Sequence, residues 1–150
     1  MHPRDFSLDT LLSNCAARHA HRLATIDGDQ RLTWAELDQR VENLARWLLA
    51  KGIAPGDRIA LLLTDGAPFL TTLLACGRIG AIAVLLNWRL APAEIAWIIG
   101  NAEPAMTFAN PRYSALLAEA AAGEVIAVAE DHDPHGAFEQ AVTTPHPACT

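Results

Sequence analysis

Lysine is nearly absent from this chain of 150 residues, and its scarcity excludes several kinds of chemistry. A Schiff base, a phosphate-loop lysine or a catalytic lysine would have to use Lys51, because it is the single lysine. Lys51 lies at the end of a helical pattern beside Gly52, which is a poor position for such a role. Eleven basic residues against seventeen acidic ones give a formal charge of −6. This balance argues against nucleic acid or an anionic membrane as the main partner.

Cysteine is also scarce, and no C-x-x-C pair is present. We therefore expect neither a disulfide framework nor a zinc site, and we predict a reducing, cytoplasmic setting. The first residues contain no apolar signal segment. The most apolar window, residues 69–88, is interrupted by Arg78 and two glycines, so we predict no membrane span. The three cysteines are Cys15, Cys76 and Cys149.

Sequence motifs for common cofactors and catalytic mechanisms are missing too. The chain contains no G-x-G-x-x-G, no G-x-x-x-x-G-K-[ST], no G-x-S-x-G and no H-E-x-x-H. These absences leave no catalytic residue and no metal ligand to assign. His132 and His135 are flanked by aspartates, but this stretch lacks the rigid frame that metal ligands need. We predict that it is a hydrated polar tail.

The clearest local pattern is an amphipathic helix over Trp34 to Lys51. Thr33 and Glu36 have the spacing of a capping box at its start, and Gly52 is the expected C-cap. Apolar residues recur on one face between these ends, which is typical of a helix that packs on a core.

The rest of the chain alternates between short apolar runs and helical patterns. Buried strands are predicted to begin near residues 58, 81, 105 and 124, and each gap between them holds one helix. The predicted fold class is therefore α/β, an open and mostly parallel sheet flanked by helices on both faces, formed by residues 1–130. The pattern stops beyond this point, so residues 131–150 are predicted to be a linker or disordered tail. The helices in the gaps are predicted over residues 67–77, 92–101 and 111–122.

Polar residues follow two of the predicted strands, where open sheets usually bind ligands. Asp65 follows the strand that begins near residue 58, and a helix N-cap is its simplest role. Asn87, Trp88 and Arg89 follow the next strand and could bind a phosphate or stack on a ring. The alternative is structural: Asn87 caps the turn, Trp88 covers the sheet edge and Arg89 pairs with a surface carboxylate.

Four ordered segments resemble the N-terminal region of AMP-forming acyl-CoA synthetases, members of the adenylate-forming superfamily. The resemblance extends from about residue 6 to about residue 129, and the Asn-containing strand end is more similar to acyl- and aryl-CoA ligases than to peptide-synthetase domains. The segments are Leu32-Thr33-Trp34-Ala35-Glu36-Leu37, Lys51 to Ala60, Gly77-Arg78-Ile79-Gly80-Ala81, and Leu86-Asn87-Trp88-Arg89-Leu90 followed by Glu94.

The resemblance implies a two-step ligase. A carboxylate and ATP, with Mg²⁺, form an acyl-adenylate and pyrophosphate, and the thiol of coenzyme A then displaces AMP. In some of these ligases an arginine at the place of Arg89 holds the nucleotide phosphate of coenzyme A. The family's Ser/Thr/Gly-rich phosphate loop and its catalytic lysine are not among these 150 residues. We therefore expect an N-terminal fragment that does not catalyse the reaction alone.

Two other functions remain open from the sequence. The first is a non-catalytic α/β module that binds a partner or small molecule through the strand-end residues 87–89. The second is a flavodoxin-like nucleotide-binding domain, which is weaker because no phosphate-cradling loop follows the strand near residue 58. In each case an uncovered sheet edge would favour self-association.

Overall fold

The computed structural model describes residues 7–147. A parallel sheet and a separate hairpin account for the strands in this part of the chain. The helices are α1 (Leu8–His19), α2 (Trp34–Ala50), α3 (Ala67–Ile79), α4 (Pro92–Ala102), α5 (Ser114–Glu119) and α6 (Ala137–Thr143). The strands are β1 (Leu23–Asp27), β2 (Gln30–Thr33), β3 (Arg58–Leu62), β4 (Ile82–Leu85), β5 (Met106–Ala109) and β6 (Glu124–Ala127).

Helix α2 follows the β1–β2 hairpin and begins with the predicted capping box. The Glu36 N–H donates to Thr33 Oγ1 at 3.3 Å, and the Thr33 N–H donates to Glu36 Oε2 at 2.8 Å. These bonds to Thr33 lower the pKa of Glu36. The helix ends one residue earlier than predicted, with Lys51 as its C-cap, and Gly52 follows in the left-handed region at φ 87°. The capping-box prediction is confirmed.

The four-stranded sheet is parallel throughout, with the order β4-β3-β5-β6. One core cluster joins α1, α2, α3 and α6 to one face, and a second joins α4 and α5 to the other. The predicted fold class is therefore confirmed. One detail differs, because β4 is an edge strand whose Ile82 and Leu85 are 51% and 53% exposed. The chain crosses from β4 over β3 to β5, which leaves β4 with a single neighbour.

The predicted helix over residues 111–122 is shorter in the structure. A 3-10 turn over Pro111–Tyr113 leads into α5, and Ala120 then returns to extended backbone. The chain bends here because Gly123 lies at φ 66° directly against the carbonyl oxygens of Pro104 and Ala105, where no Cβ would fit. This close approach returns the chain to the sheet as β6.

The C-terminal segment also differs from the predicted linker. Helix α6 packs against α2, with Phe138 2% exposed and Val142 fully buried. Apolar residues spaced three and four apart, 138, 141 and 142, supply this face, although the surrounding composition is polar and proline-rich. Residues 148–150, including Cys149, lie outside the described part of the chain.

Three polar side chains on one face of α2 also hold this segment. The Arg40 guanidinium donates to both Glu139 carboxylate oxygens, at 2.8 and 2.9 Å. Asn43 donates to the Val142 carbonyl at 2.9 Å, and Arg46 donates to the His146 carbonyl at 3.2 Å. Because residues 40, 43 and 46 are three apart, they form one row along the helix, which we call the polar row of α2.

Two other predicted features have clear structural outcomes. Cys76 is buried in α3, and this burial raises the pKa of its thiol to about 12, which keeps it protonated and unreactive. Cys15 is a free, partly buried thiol on α1. Across residues 7–147, none of the helices combines the length and apolar character needed to cross a bilayer.

Arg78 ties α3 to α1 and α2 through three carboxylates. Its Nε and Nη2 donate to Asp9 and Asp38 at 2.6 Å each, and its Nη1 donates to Glu42 at 3.1 Å. Burial alone would lower the pKa of Arg78, but its hydrogen bonds to Asp38 and Asp9 outweigh that effect and raise it. The guanidinium therefore stays charged and links three helices.

We predict that Arg78→Met destabilises the chain by about 2 kcal/mol, because three neighbouring carboxylates would lose their shared cation. Urea unfolding followed by circular dichroism measures the change. Arg18→Met, at an exposed position near the end of α1, is the matched control and should have little effect. Equal unfolding free energies for the two variants would contradict this role of Arg78.

Candidate functional site

The carboxyl ends of β3 and β5 meet where the order of the sheet reverses. From β3 the chain crosses to β4 on one side, and from β4 it returns to β5 on the other. Open α/β sheets bind ligands in the crevice at such a switch point. Its walls come from the loops after β3, β5 and β6, and they include Thr64, Asp65, Asn110, Glu130 and His132.

Asn110 joins the three strand ends around this crevice. The Thr64 N–H donates to Asn110 Oδ1 at 2.9 Å, and Asn110 Nδ2 donates to the Val128 carbonyl at 3.1 Å. The side chain is almost fully buried, so both ends of its amide are used within the fold. The sequence analysis missed Asn110, although an amide immediately after a buried strand is the signal that could have identified it.

Asp27, at the end of β1, supplies the N-terminal hydrogen bond of α3. Its Oδ2 accepts from the Ala67 N–H at 2.8 Å. A Cβ at Gly66 would lie 2.6 Å from the same oxygen, so the approach requires glycine. This corrects the prediction that Asp65 caps the helix: the N-cap residue is Gly66, and the cap comes from the hairpin.

The two histidines of the predicted polar tail have different environments. His132 turns inward at φ 55°, and its Nε2 lies 3.4 Å from Asp27 Oδ2. Its Nδ1 lies 3.9 Å from Glu139 Oε1 and has no hydrogen-bond partner. His135 is exposed, as expected for a hydrated segment. Within residues 7–147, no three His, Cys, Asp or Glu side chains are grouped so as to hold a metal ion.

The β4 end carries the residues that the sequence singled out. Asn87 Oδ1 accepts from the Arg89 N–H at 3.0 Å, so Asn87 closes the turn as its structural alternative predicts. The Arg89 guanidinium lies over the Trp88 ring, with Cζ 4.7 Å from the ring centroid. An open cleft of about 300 Å³ borders these residues, with Asp65 in its wall. Arg89 is exposed and stacks on Trp88, and no carboxylate of residues 7–147 forms an ion pair with it.

A second arginine, missed by the sequence analysis, lies against the same ring. Arg112 follows β5, and its Cζ is 5.6 Å from the Trp88 centroid and 5.2 Å from the Tyr113 centroid. The Tyr113 hydroxyl donates to the Trp88 carbonyl at 3.3 Å. Arg112 also forms an ion pair with Glu130 at 3.0 Å, and both side chains are about half exposed. Strand order brings these loops together, and no local pattern encodes it.

Comparison with known proteins places this geometry in a family. The family model described as "AMP-binding enzyme" matches residues 12–147, which is most of the chain. The chain belongs to the AMP-binding enzyme family. Membership agrees with the resemblance found in the sequence, and it extends beyond residue 129 to include α6.

Relatives within the family are similar over most of this chain. A feruloyl-CoA synthase from an Amycolatopsis species is 38% identical over 108 residues, covering 72% of this chain and 22% of its own length. The medium-chain fatty-acid–CoA ligase of Escherichia coli is 37% identical over 108 residues, covering 70% of this chain and 19% of its own length. The chain therefore spans about a fifth of the length of the curated relatives it matches.

A solved structure shares the fold. The crystal structure of a putative long-chain-fatty-acid CoA ligase from Rhodopseudomonas palustris superposes with a TM-score of 0.83 and 28% sequence identity. The superposition covers 99% of this chain and 39% of that one. The hairpin, the parallel sheet and the C-terminal helix thus form part of a larger fold in that structure.

We predict that Asp27→Ala destabilises the chain by about 1 kcal/mol, because the first turn of α3 would lose its acceptor. The Ala67 amide should also exchange its hydrogen faster, which NMR measures at that residue. Asp131→Ala removes an exposed aspartate and serves as the control. An unchanged exchange rate at Ala67 in Asp27→Ala would contradict the capping role.

Proposed function

We propose that this chain is the N-terminal part of an AMP-dependent acyl- or aryl-CoA ligase. The observation that carries the proposal is the family match over residues 12–147, together with relatives whose names include feruloyl-CoA synthase and medium-chain fatty-acid–CoA ligase. In such a ligase a carboxylate would react with ATP to give an acyl-adenylate and pyrophosphate, and coenzyme A would then give the thioester. The substrates would be a small carboxylic acid and coenzyme A.

The described residues suit a scaffold better than a nucleotide site. The switch-point crevice contains Asp27, Asp65 and Glu130, whose charges would repel a triphosphate. The single lysine is paired with Glu124 at 2.7 Å, far from a phosphate-binding loop in its contacts. We infer that ATP and Mg²⁺ bind to residues outside this stretch, where Mg²⁺ would offset charge on the phosphates.

Arg89 is the residue we assign to coenzyme A, as a contact to its nucleotide phosphate. Its support is geometric: the guanidinium stacks on Trp88 and lies at the mouth of an open cleft. A stacked guanidinium keeps its in-plane N–H groups available for a phosphate oxygen. The scarcity of cysteine and the absence of C-x-x-C pairs also support a cytoplasmic setting.

We predict that the 150-residue chain alone releases no pyrophosphate from ATP with any of a panel of aliphatic and aromatic acids. A chimera tests the proposal positively, with this chain replacing the matching region of the Escherichia coli medium-chain ligase. The chimera should form both the adenylate and the thioester. Arg89→Ala in the chimera should raise KM for coenzyme A about fivefold and leave pyrophosphate exchange unchanged, because the lost contact is to coenzyme A.

Arg31→Ala, on the exposed side of the hairpin, controls for the loss of one positive charge. Turnover by the chain alone would contradict the scaffold role. A folded chimera that makes no adenylate would contradict the ligase proposal and favour a non-catalytic binding module.

We also propose that the isolated chain self-associates through the free edge of β4. The edge has unpaired backbone groups, and its Ile82 and Leu85 are about half exposed. Light scattering at increasing concentration should give a mass above 16.1 kDa. Ile82→Lys should restore the monomer, whereas the exposed Leu11→Lys on α1 should not. A monomer at all concentrations would contradict this proposal.

A further inference from the structure

The Trp88 ring is a platform shared by two arginines from different loops. Arg89 comes from the loop after β4 and Arg112 from the loop after β5, and their Cζ atoms are 4.7 and 5.6 Å from the ring centroid. The two Cζ atoms therefore lie within about 10 Å of each other. Two guanidinium groups on one indole form the densest positive charge around the strand ends of a chain whose net charge is negative.

The platform is fixed by hydrogen bonds from both loops. Asn87 closes the β4 loop by accepting from the Arg89 N–H, and the Tyr113 hydroxyl donates to the Trp88 carbonyl. These bonds hold the ring between the two loops before any ligand arrives. A preorganised pair of cations loses less conformational entropy on binding an anion than two free side chains would.

The charges around the platform are unequally compensated. Arg112 has Glu130 at 3.0 Å, in an ion pair whose side chains are 48% and 55% exposed. Arg89 stacks on the ring, and Asp65 is the acidic residue in the wall of its cleft. Exposed ion pairs of this kind contribute little, so a dianion can displace Glu130 at small cost. Glu130 is thus a competitor for Arg112.

We propose that Arg89 and Arg112, on either side of the Trp88 platform's two loops, together bind a phosphate monoester, and that Glu130 limits the affinity by occupying Arg112. The inference rests on the proposed function for the role of Arg89, and it adds Arg112 as a second binding residue and Glu130 as an internal competitor. The ligand class is a phosphate monoester dianion, carried by a nucleotide or free as inorganic phosphate.

The test uses the 150-residue chain labelled with ¹⁵N and titrated with adenosine 3′,5′-bisphosphate at low salt. The Trp88 indole and the Arg Nε–H signals report binding at the platform. Arg112→Ala should weaken binding about fivefold, because one charge-assisted contact is lost. Glu130→Gln should tighten binding about threefold, because Arg112 no longer has an anionic partner.

Arg31→Ala and Glu119→Gln, both exposed and outside the platform, are the matched controls for charge. Adenosine 5′-monophosphate and inorganic phosphate are the comparison ligands. Equal affinity for inorganic phosphate and the bisphosphate would support a site for the phosphate group alone, and tighter binding of the bisphosphate would support a nucleotide.

The outcomes separate this inference from the assignment of Arg89. Weakening by Arg89→Ala with no change in Arg112→Ala and Glu130→Gln would overturn the inference and leave the Arg89 contact standing. Changes in Arg112→Ala and Glu130→Gln without one in Arg89→Ala would support Arg112 and overturn the paired site. The absence of any Trp88 shift with all three ligands would overturn the phosphate site, whereas the ligase proposal would still depend on the chimera.

Discussion

The packing of α2 is the interaction on which the rest of the structure depends. Its apolar face, with Val41, Leu44 and Leu48 fully buried, covers one side of the parallel sheet. The helix also contacts α1, α3 and α6, so the N-terminal and C-terminal parts of the chain meet on it. Burial of several large side chains on one helix contributes several kcal/mol, more than any single ion pair described above.

Polar side chains fix the strand ends that this packing brings together. Asn110 joins the ends of three strands, and Asp27 reaches from the hairpin to start α3. Both side chains are used up by structural contacts, whereas Arg89 and Arg112 present charge to the open cleft. The sheet therefore divides its carboxyl edge into an inner, structural part and an outer part with positive charge.

Much of this fold could be predicted because its signals are local. The capping box at Thr33 and Glu36, the turn closed by Asn87 and the alternation of helices and strands depend on residues near one another in sequence. The edge position of β4 could not be predicted, because strand order is decided by crossovers and not by composition. The cap on α3 was missed for the same reason, since Asp27 is 40 residues from Ala67.

The candidate site was predictable only in part. Arg89 follows its strand directly and belongs to a recognisable segment, but Arg112 reaches Trp88 from 24 residues away along the chain, through the neighbouring strand. Helix α6 was masked by its surroundings: a few apolar residues in a polar, proline-containing stretch are too weak a signal unless a partner helix is known.

The polar row of α2 has a consequence for synthesis on the ribosome. Arg40 and Asn43 find their partners 99 residues later, and Arg46 finds its partner 100 residues later. Until that stretch has left the exit tunnel, two arginines and an amide must remain hydrated beside a nearly finished apolar face. The nascent polypeptide therefore completes this half of its interior last, and a chaperone would have the longest access there.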